Sequence, residues 1–122
     1  MARISVKSAK AKGRRLQNWV AEHISDITGI PWGKDELIEG REMSQKGVDV
    51  KLYGKAKDMF PYSIECKSQE TWSIPDWIKQ TKSNQIEGTD WLLFCKRSRE
   101  KPIVILDAEV FFELYKKILQ KK

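Results

Sequence analysis

The sequence predicts an α/β fold, a mixed β-sheet flanked by helices in the order α-β-β-β-α-β-β-α. Three observations predict it. Apolar residues recur at helical spacing near both ends of the chain, and Pro75 is placed to open a helix between them. Two central segments alternate apolar and polar residues, as half-buried strands do. Two short, continuously apolar runs follow, which suits strands buried on both faces. The 122 residues make one domain with room for a single core.

The elements follow in order. Residues 1–7 read as a flexible basic arm. The first helix runs from about Ser8 to Ile27, with Leu16, Trp19, Val20, His23, Ile24 and Ile27 on its apolar stripe, and Gly29, Pro31 and Gly33 break it. A loop and a first strand lead to Arg41. From Gly47 to Leu52, Val48, Val50 and Leu52 point one way and Asp49 and Lys51 the other, and Gly54 to Met59 reads as a polar connection. From Phe60 to Lys67 the alternation resumes, with Tyr62, Ile64 and Cys66 opposite Ser63, Glu65 and Lys67. The second helix extends from Pro75 to about Gln85. Trp91 to Cys95 and Ile103 to Leu106 are the buried strands, joined by a basic loop. Asp107 is positioned to cap the last helix, whose stripe is Val110, Phe111, Leu114, Tyr115, Ile118 and Leu119. Trp19, Trp77 and Trp91 are expected in the core, and Trp32 and Trp72 in loops, where they pack or stack on bases.

Composition excludes several classes. A hydrophobic fraction of 40% with 33% charged residues is a globular balance, too apolar for a disordered chain. No apolar run approaches the roughly 20 residues of a membrane span, and the N-terminus has no signal-peptide pattern. Cys66 and Cys95 have no paired spacing, so neither a disulfide framework nor a zinc site is expected, and a reducing cytoplasm fits.

Charge points to a partner. The 23 Lys and Arg exceed the 17 Asp and Glu, for a net charge of +6, and the excess is clustered. Residues 1–15 hold Arg3, Lys7, Lys10, Lys12, Arg14 and Arg15 with no acid; Lys96, Arg97, Arg99 and Lys101 form a second cluster; Lys116, Lys117, Lys121 and Lys122 close the chain. Clustered cations suit a polyanion, because each phosphate contact releases condensed counterions. A merely solubilising surface reads the same way.

The chemistry lies on the alternating strands. Residues two apart on a strand share a face, so Glu65 and Lys67 point together; if the two strands pair, Asp49 joins them. Two carboxylates and an ammonium then converge beside an apolar layer. Such hard oxygen ligands suit magnesium or manganese, which keep several waters and also bind phosphate oxygens. A plain surface ion pair of Glu65 with Lys67 is the structural alternative.

Asp49 in GVDV and Glu65-Cys66-Lys67 in IECK, on two strands between helices, resemble the PD-(D/E)XK nuclease superfamily. KGRRLQNW in the first helix, REMSQKGVDV before the second strand, and a glutamine in the helix after IECK further resemble small phage and archaeal Holliday junction resolvases, from about Lys12 to Leu114. The resemblance implies a restriction-endonuclease-like fold and a Mg2+-dependent endonuclease, with Mn2+ able to substitute, that cuts four-way or branched DNA in recombination. It also implies metal ligands at Asp49, Glu65 and the Cys66 backbone carbonyl, and a catalytic role for Lys67. It suggests a homodimer acting in the cytoplasm, that of the bacterial host if the chain is phage-encoded. Relatives often carry a glutamate four residues after a helix-opening glycine. Counting from Gly13 this chain has Gln17, which can offer a carbonyl oxygen to a metal or its water, or serve as an ordinary helix-surface glutamine. Gln80 matches the glutamine of the later helix and would orient water or phosphate. Arg41 and Ser44 occupy positions where resolvases contact phosphate, or they serve turn chemistry. Lys10, Lys12, Arg14, Arg15, Lys96, Arg97 and Arg99 are the expected DNA-backbone contacts. Glu42 reads as a solvent charge. The rival readings are a less selective nuclease of ends or flaps and a catalytically silent DNA-binding module. For the dimer, Phe112 and Tyr115, with Trp32 and Trp72, are candidate interface material.

Overall fold

A computed structural model describes residues 6–41 and 47–121. The first helix, α1 (Val6–Thr28), buries Leu16, Gln17, Val20, Ala21 and Ile24, a stripe of i, i+4 steps that binds it to the sheet. It starts within the stretch expected as a basic arm; residues 1–5 lie outside the described ones. Gly29 ends it in the left-handed region at φ +75°, a conformation that glycine takes at no steric cost.

The strands are β1 (Ile38–Gly40), β2 (Val50–Leu52), β3 (Tyr62–Ser68), β4 (Asp90–Lys96) and β5 (Ile103–Ile105), and they lie in that order across one sheet. β1 with β2, β2 with β3, and β4 with β5 pair antiparallel. β3 and β4 pair parallel over their whole length, because α3 (Ile74–Ser83) crosses between them. Ser73 precedes that helix and Pro75 sits in its first turn, as expected. This is the mixed sheet with helices that the hydrophobic pattern predicts.

Alternation along β3 and β4 assigns the layers. Ile64, Cys66 and Phe94 face α1, joining Ile38, Val50 and Leu52 in one apolar cluster. Leu93 and Cys95 face α3, joining Trp77 and Trp91 in a second. β3 is thus covered on both sides, and even its polar Ser63 and Glu65 are buried.

Five expectations are corrected. Gly54–Met59 is not merely a polar connection but a short helix, α2, anchored by the fully buried Ala56 within the α1 cluster. Trp19 is 40% exposed rather than in the core. β5 is not buried on both faces: it is an edge strand, and Ile103 and Val104 are exposed. The last helix, α4 (Ala108–Gln120), buries none of its residues, so its apolar stripe covers no core. Asp107 stands at its N-cap, but the carboxylate accepts a hydrogen bond from Trp91 Nε1 at 3.1 Å instead of capping.

Candidate active site

The site forms where β2 and β3 part. Their only paired residues in register are Val50 and Ile64, after which β3 runs on beside β4. Asp49 closes the gap: its N–H donates to the Ile64 carbonyl at 2.7 Å, and its Oδ2 accepts from Cys66 N–H at 2.7 Å. Within a strand, the N–H and C=O of one residue face the same side. The Cys66 carbonyl therefore also faces the Asp49 edge. This places an acceptor oxygen beside the carboxylate.

Glu65 is 2% exposed. Lys67 Nζ lies 3.9 Å from its Oε1, and Asn84 Nδ2 lies 3.5 Å from Oε2. Burial pushes the Glu65 carboxyl up to about 7, and the neighbouring Asp49 charge adds to the rise; Lys67 and the Asn84 hydrogen bond oppose it. Two carboxylates held this close disfavour each other's charge, and a cation between them relieves that cost.

Asp49, Glu65, Cys66 and Lys67 line a cavity of about 270 Å³ with Gln17, Arg41 and Gln80. Gln17 is buried, and its Nε2 donates to the Arg41 carbonyl at 2.8 Å, so what it has left to offer a cation is its carbonyl oxygen. Gly40 makes this possible, since a Cβ there would lie 2.6 Å from Gln17 Nε2. The Arg41 guanidinium is turned onto Asp49 Oδ1, with Nε at 3.1 Å. Gln80 is exposed at the rim.

The sequence reading thus brings Asp49, Glu65, Cys66, Lys67, Gln17, Gln80 and Arg41 to one cavity. It missed Asn84, whose spacing four residues after Gln80 was the available signal. Among the other expected contacts, Lys10 and Arg14 are exposed on α1. Lys12, Arg15, Lys96 and Arg99 line a second cavity across that helix. Arg97 stacks on the Trp72 ring at 4.2 Å and donates to the Glu70 carbonyl. Ser44 and Glu42 lie outside the described residues.

The donor set fits a hard divalent cation. Among the described residues no three His, Cys, Asp or Glu converge as a metal cage. Magnesium needs none, because it keeps several waters and takes one or two carboxylates. Burial pushes both thiols up, Cys66 well above its ordinary value and Cys95 to about 11, so neither is a ready nucleophile or a soft ligand. No helix of the described residues is long and apolar enough to cross a membrane.

No curated protein and no solved structure matches the chain. A family model described as "phage putative PDDEXK endonuclease" matches residues 8–122, a span that includes every residue of the cavity. The chain belongs to this family of phage PD-(D/E)XK endonucleases.

Proposed function

We propose that the chain is a magnesium-dependent endodeoxyribonuclease, with manganese able to substitute, that acts on branched DNA and foremost on four-way junctions in recombination. The supporting observation is the convergence of Asp49, Glu65, Lys67 and the Cys66 main chain at the open edge of β3. PD-(D/E)XK nucleases generally use divalent metals. In this reading the Asp49 and Glu65 carboxylates and the Cys66 carbonyl hold the cation, with Gln17 beside them. The cation would supply charge for the phosphate oxygens and acidify an attacking water. Lys67, steadied by Glu65, neutralises charge that builds on the phosphate as its fifth bond forms. Gln80 donates or accepts at the rim to orient the water or the scissile phosphate. Arg41 stands at the cavity wall within reach of a phosphate. Lys10, Lys12, Arg14, Arg15, Lys96, Arg97 and Arg99 hold the backbone.

The test is cleavage of labelled linear duplex, flap and four-way-junction DNA of equal length, with and without magnesium. Cutting only with magnesium and fastest on the junction is expected. Equal rates on linear duplex would point to a less selective nuclease, and binding without cutting to a silent module.

A homodimer belongs to the same reading, since one chain carries one cluster and resolving a junction takes two symmetric cuts. Its support is α4, on which Phe111, Phe112, Leu114, Tyr115, Ile118 and Leu119 are 37–67% exposed. Large apolar side chains present about 150–250 Å² each, so this face leaves roughly 500–700 Å² open. That exceeds or matches the largest patch of a typical monomer, about 300–600 Å². It is close to the roughly 800 Å² that each partner gives to a standard interface. A second copy of α4 is the occupant that matches it in both chemistry and size.

Glu65 makes the site sensitive to pH. Its carboxyl is raised from 4.5 to about 7 in the fold, so between those values the folded chain binds more protons than the unfolded one. Its contribution to stability is therefore full below about pH 4.5 and lost as pH rises through about 7. Magnesium competes with that proton, so its affinity rises over the same window. Thermal unfolding between pH 5 and 8, with and without magnesium, should show a cation-dependent gain that grows with pH. Glu65→Gln should flatten this dependence.

A further inference from the structure

The second cavity, of about 390 Å³, lies across α1 from the catalytic one. Residues 9, 13 and 17 of α1 line the catalytic cavity, and residues 12, 15, 16 and 19 line this one. Ser68, which follows Lys67, lines both, so the two cavities meet at the end of β3. A strand lying past Lys67 would thus have a continuous way into the second cavity.

Its walls combine cations with an aromatic ring. Lys12, Arg15, Lys96 and Arg99 come from the helix on one side and from the end of β4 and its loop on the other. None of the four forms a salt bridge among the described residues. Lys12 Nζ donates to Ser98 Oγ and Lys96 Nζ to the Arg97 carbonyl, each at 2.9 Å. A nearby acid is Glu70, whose carboxyl is held low by the Ser98 N–H and, more weakly, by the Lys12 and Lys96 charges. Arg99 is held at φ +65°, a left-handed conformation rare for a residue with a side chain. Trp19 lies on the wall, 40% exposed, with His23 against it at 4.2 Å between ring centroids. Trp72, one of two loop tryptophans expected to pack or to stack on bases, is already occupied by Arg97 and Trp77.

An aromatic face beside unpaired cations is the chemistry that binds a nucleotide, the base by stacking and the phosphate by charge. A concave pocket admits a base only when that base has left its stack. We propose that this cavity is a subsite for one unstacked nucleotide of the strand being cut, with the base on Trp19 and the phosphate among Arg15, Arg99, Lys12 and Lys96. Unstacking costs least where stacking is already interrupted, so the subsite selects the nucleotide at a branch point. It gives a small domain a way to recognise branched DNA without reading sequence. The inference rests on the nuclease reading for its choice of DNA, but it is tested by binding alone.

The test uses full-length protein carrying Glu65→Ala, which removes cleavage, and an immobile four-way junction with 5-iododeoxyuridine at one branch-point position. A junction with the same label in mid-arm is the control. Irradiation should crosslink the branch-point label to Trp19, located by peptide mass spectrometry, and the mid-arm label should not reach it. Trp19→Ala, a change at an exposed position, should lower the ratio of junction affinity to linear-duplex affinity by about 5- to 150-fold, the loss of one stacked base. Trp19→Phe should restore most of the ratio. An unchanged ratio, or a branch-point crosslink that maps to another element, overturns the subsite. Trp19-dependent selectivity in a chain whose Glu65 form never cuts DNA would sink the nuclease reading and leave the subsite standing; cleavage with no Trp19 dependence would do the reverse.

Discussion

Replacing Glu65 or Lys67 by alanine is expected to abolish DNA cleavage while DNA binding persists. The two side chains sit together in one cavity, 3.9 Å apart, whereas the cations proposed to hold the backbone lie on α1 and in the β4–β5 loop. Lys67→Ala removes a positive charge held beside Glu65 in the cavity. Loss of one such group from the transition state slows catalysis by on the order of 10²–10³. Glu65→Ala should cost at least as much, since Asp49 is left as the one carboxylate in the cavity and already carries the Arg41 guanidinium. Asp49→Asn should weaken magnesium binding and also loosen the edge of β3, because Asp49 bonds the Cys66 N–H. Single-turnover cleavage at saturating DNA isolates the chemical step, and anisotropy without metal measures binding. Normal turnover by Glu65→Ala in magnesium would remove the assignment altogether.

Charging the open face of α4 is expected to prevent the proposed homodimer from forming. Phe112 and Tyr115 are 67% and 53% exposed and hold no part of the core, so Phe112→Glu with Tyr115→Glu should fold normally. In a twofold interface each substitution occurs twice and faces its own copy or a neighbour of it. Apolar burial of about 1.5–3 kcal/mol per side chain is lost, and like charges are brought together. Dimer dissociation should rise by at least about 10³-fold, equivalent to roughly 4 kcal/mol. Sedimentation at micromolar concentration should give a dimer for the native chain and a monomer for the variant. Paired nicks in a junction should then become single nicks. A native chain that is monomeric under these conditions and still makes paired nicks contradicts the dimer.

The sequence by itself determined which chemistry the chain carries and on what it is mounted. Period-two alternation fixed Glu65 and Lys67 on one strand face. Helical periodicity placed Gln17 beside the buried stripe of α1, where it is 5% exposed. These are local rules: strand and helix geometry repeat every two or 3.6 residues, so a side chain's face follows from its neighbours in the chain. The same rules misread the elements whose environment is set from far away. Ile103, Val104 and the α4 stripe have core-like sequences, yet β5 is an edge with β4 as its single neighbour and α4 docks on no layer. Trp19 shares a stripe with Val20 and Ile24 but falls where the sheet does not extend to cover it.

Only the tertiary structure decided how the site closes. Asp49 was expected on a polar strand face; in the fold it sits at the strand edge, bonded to Cys66 N–H and paired with Arg41, and is 4% exposed. Asn84 reaches Glu65 from a helix end nineteen positions away; its spacing from Gln80 gives the helix face but not the partner. The raised Glu65 carboxyl likewise comes from burial and from a second carboxylate, Asp49, brought in from just before β2, not from its neighbours in IECK. Burial and charge proximity act through space, and only after the chain has folded do residues distant in sequence share one dielectric environment.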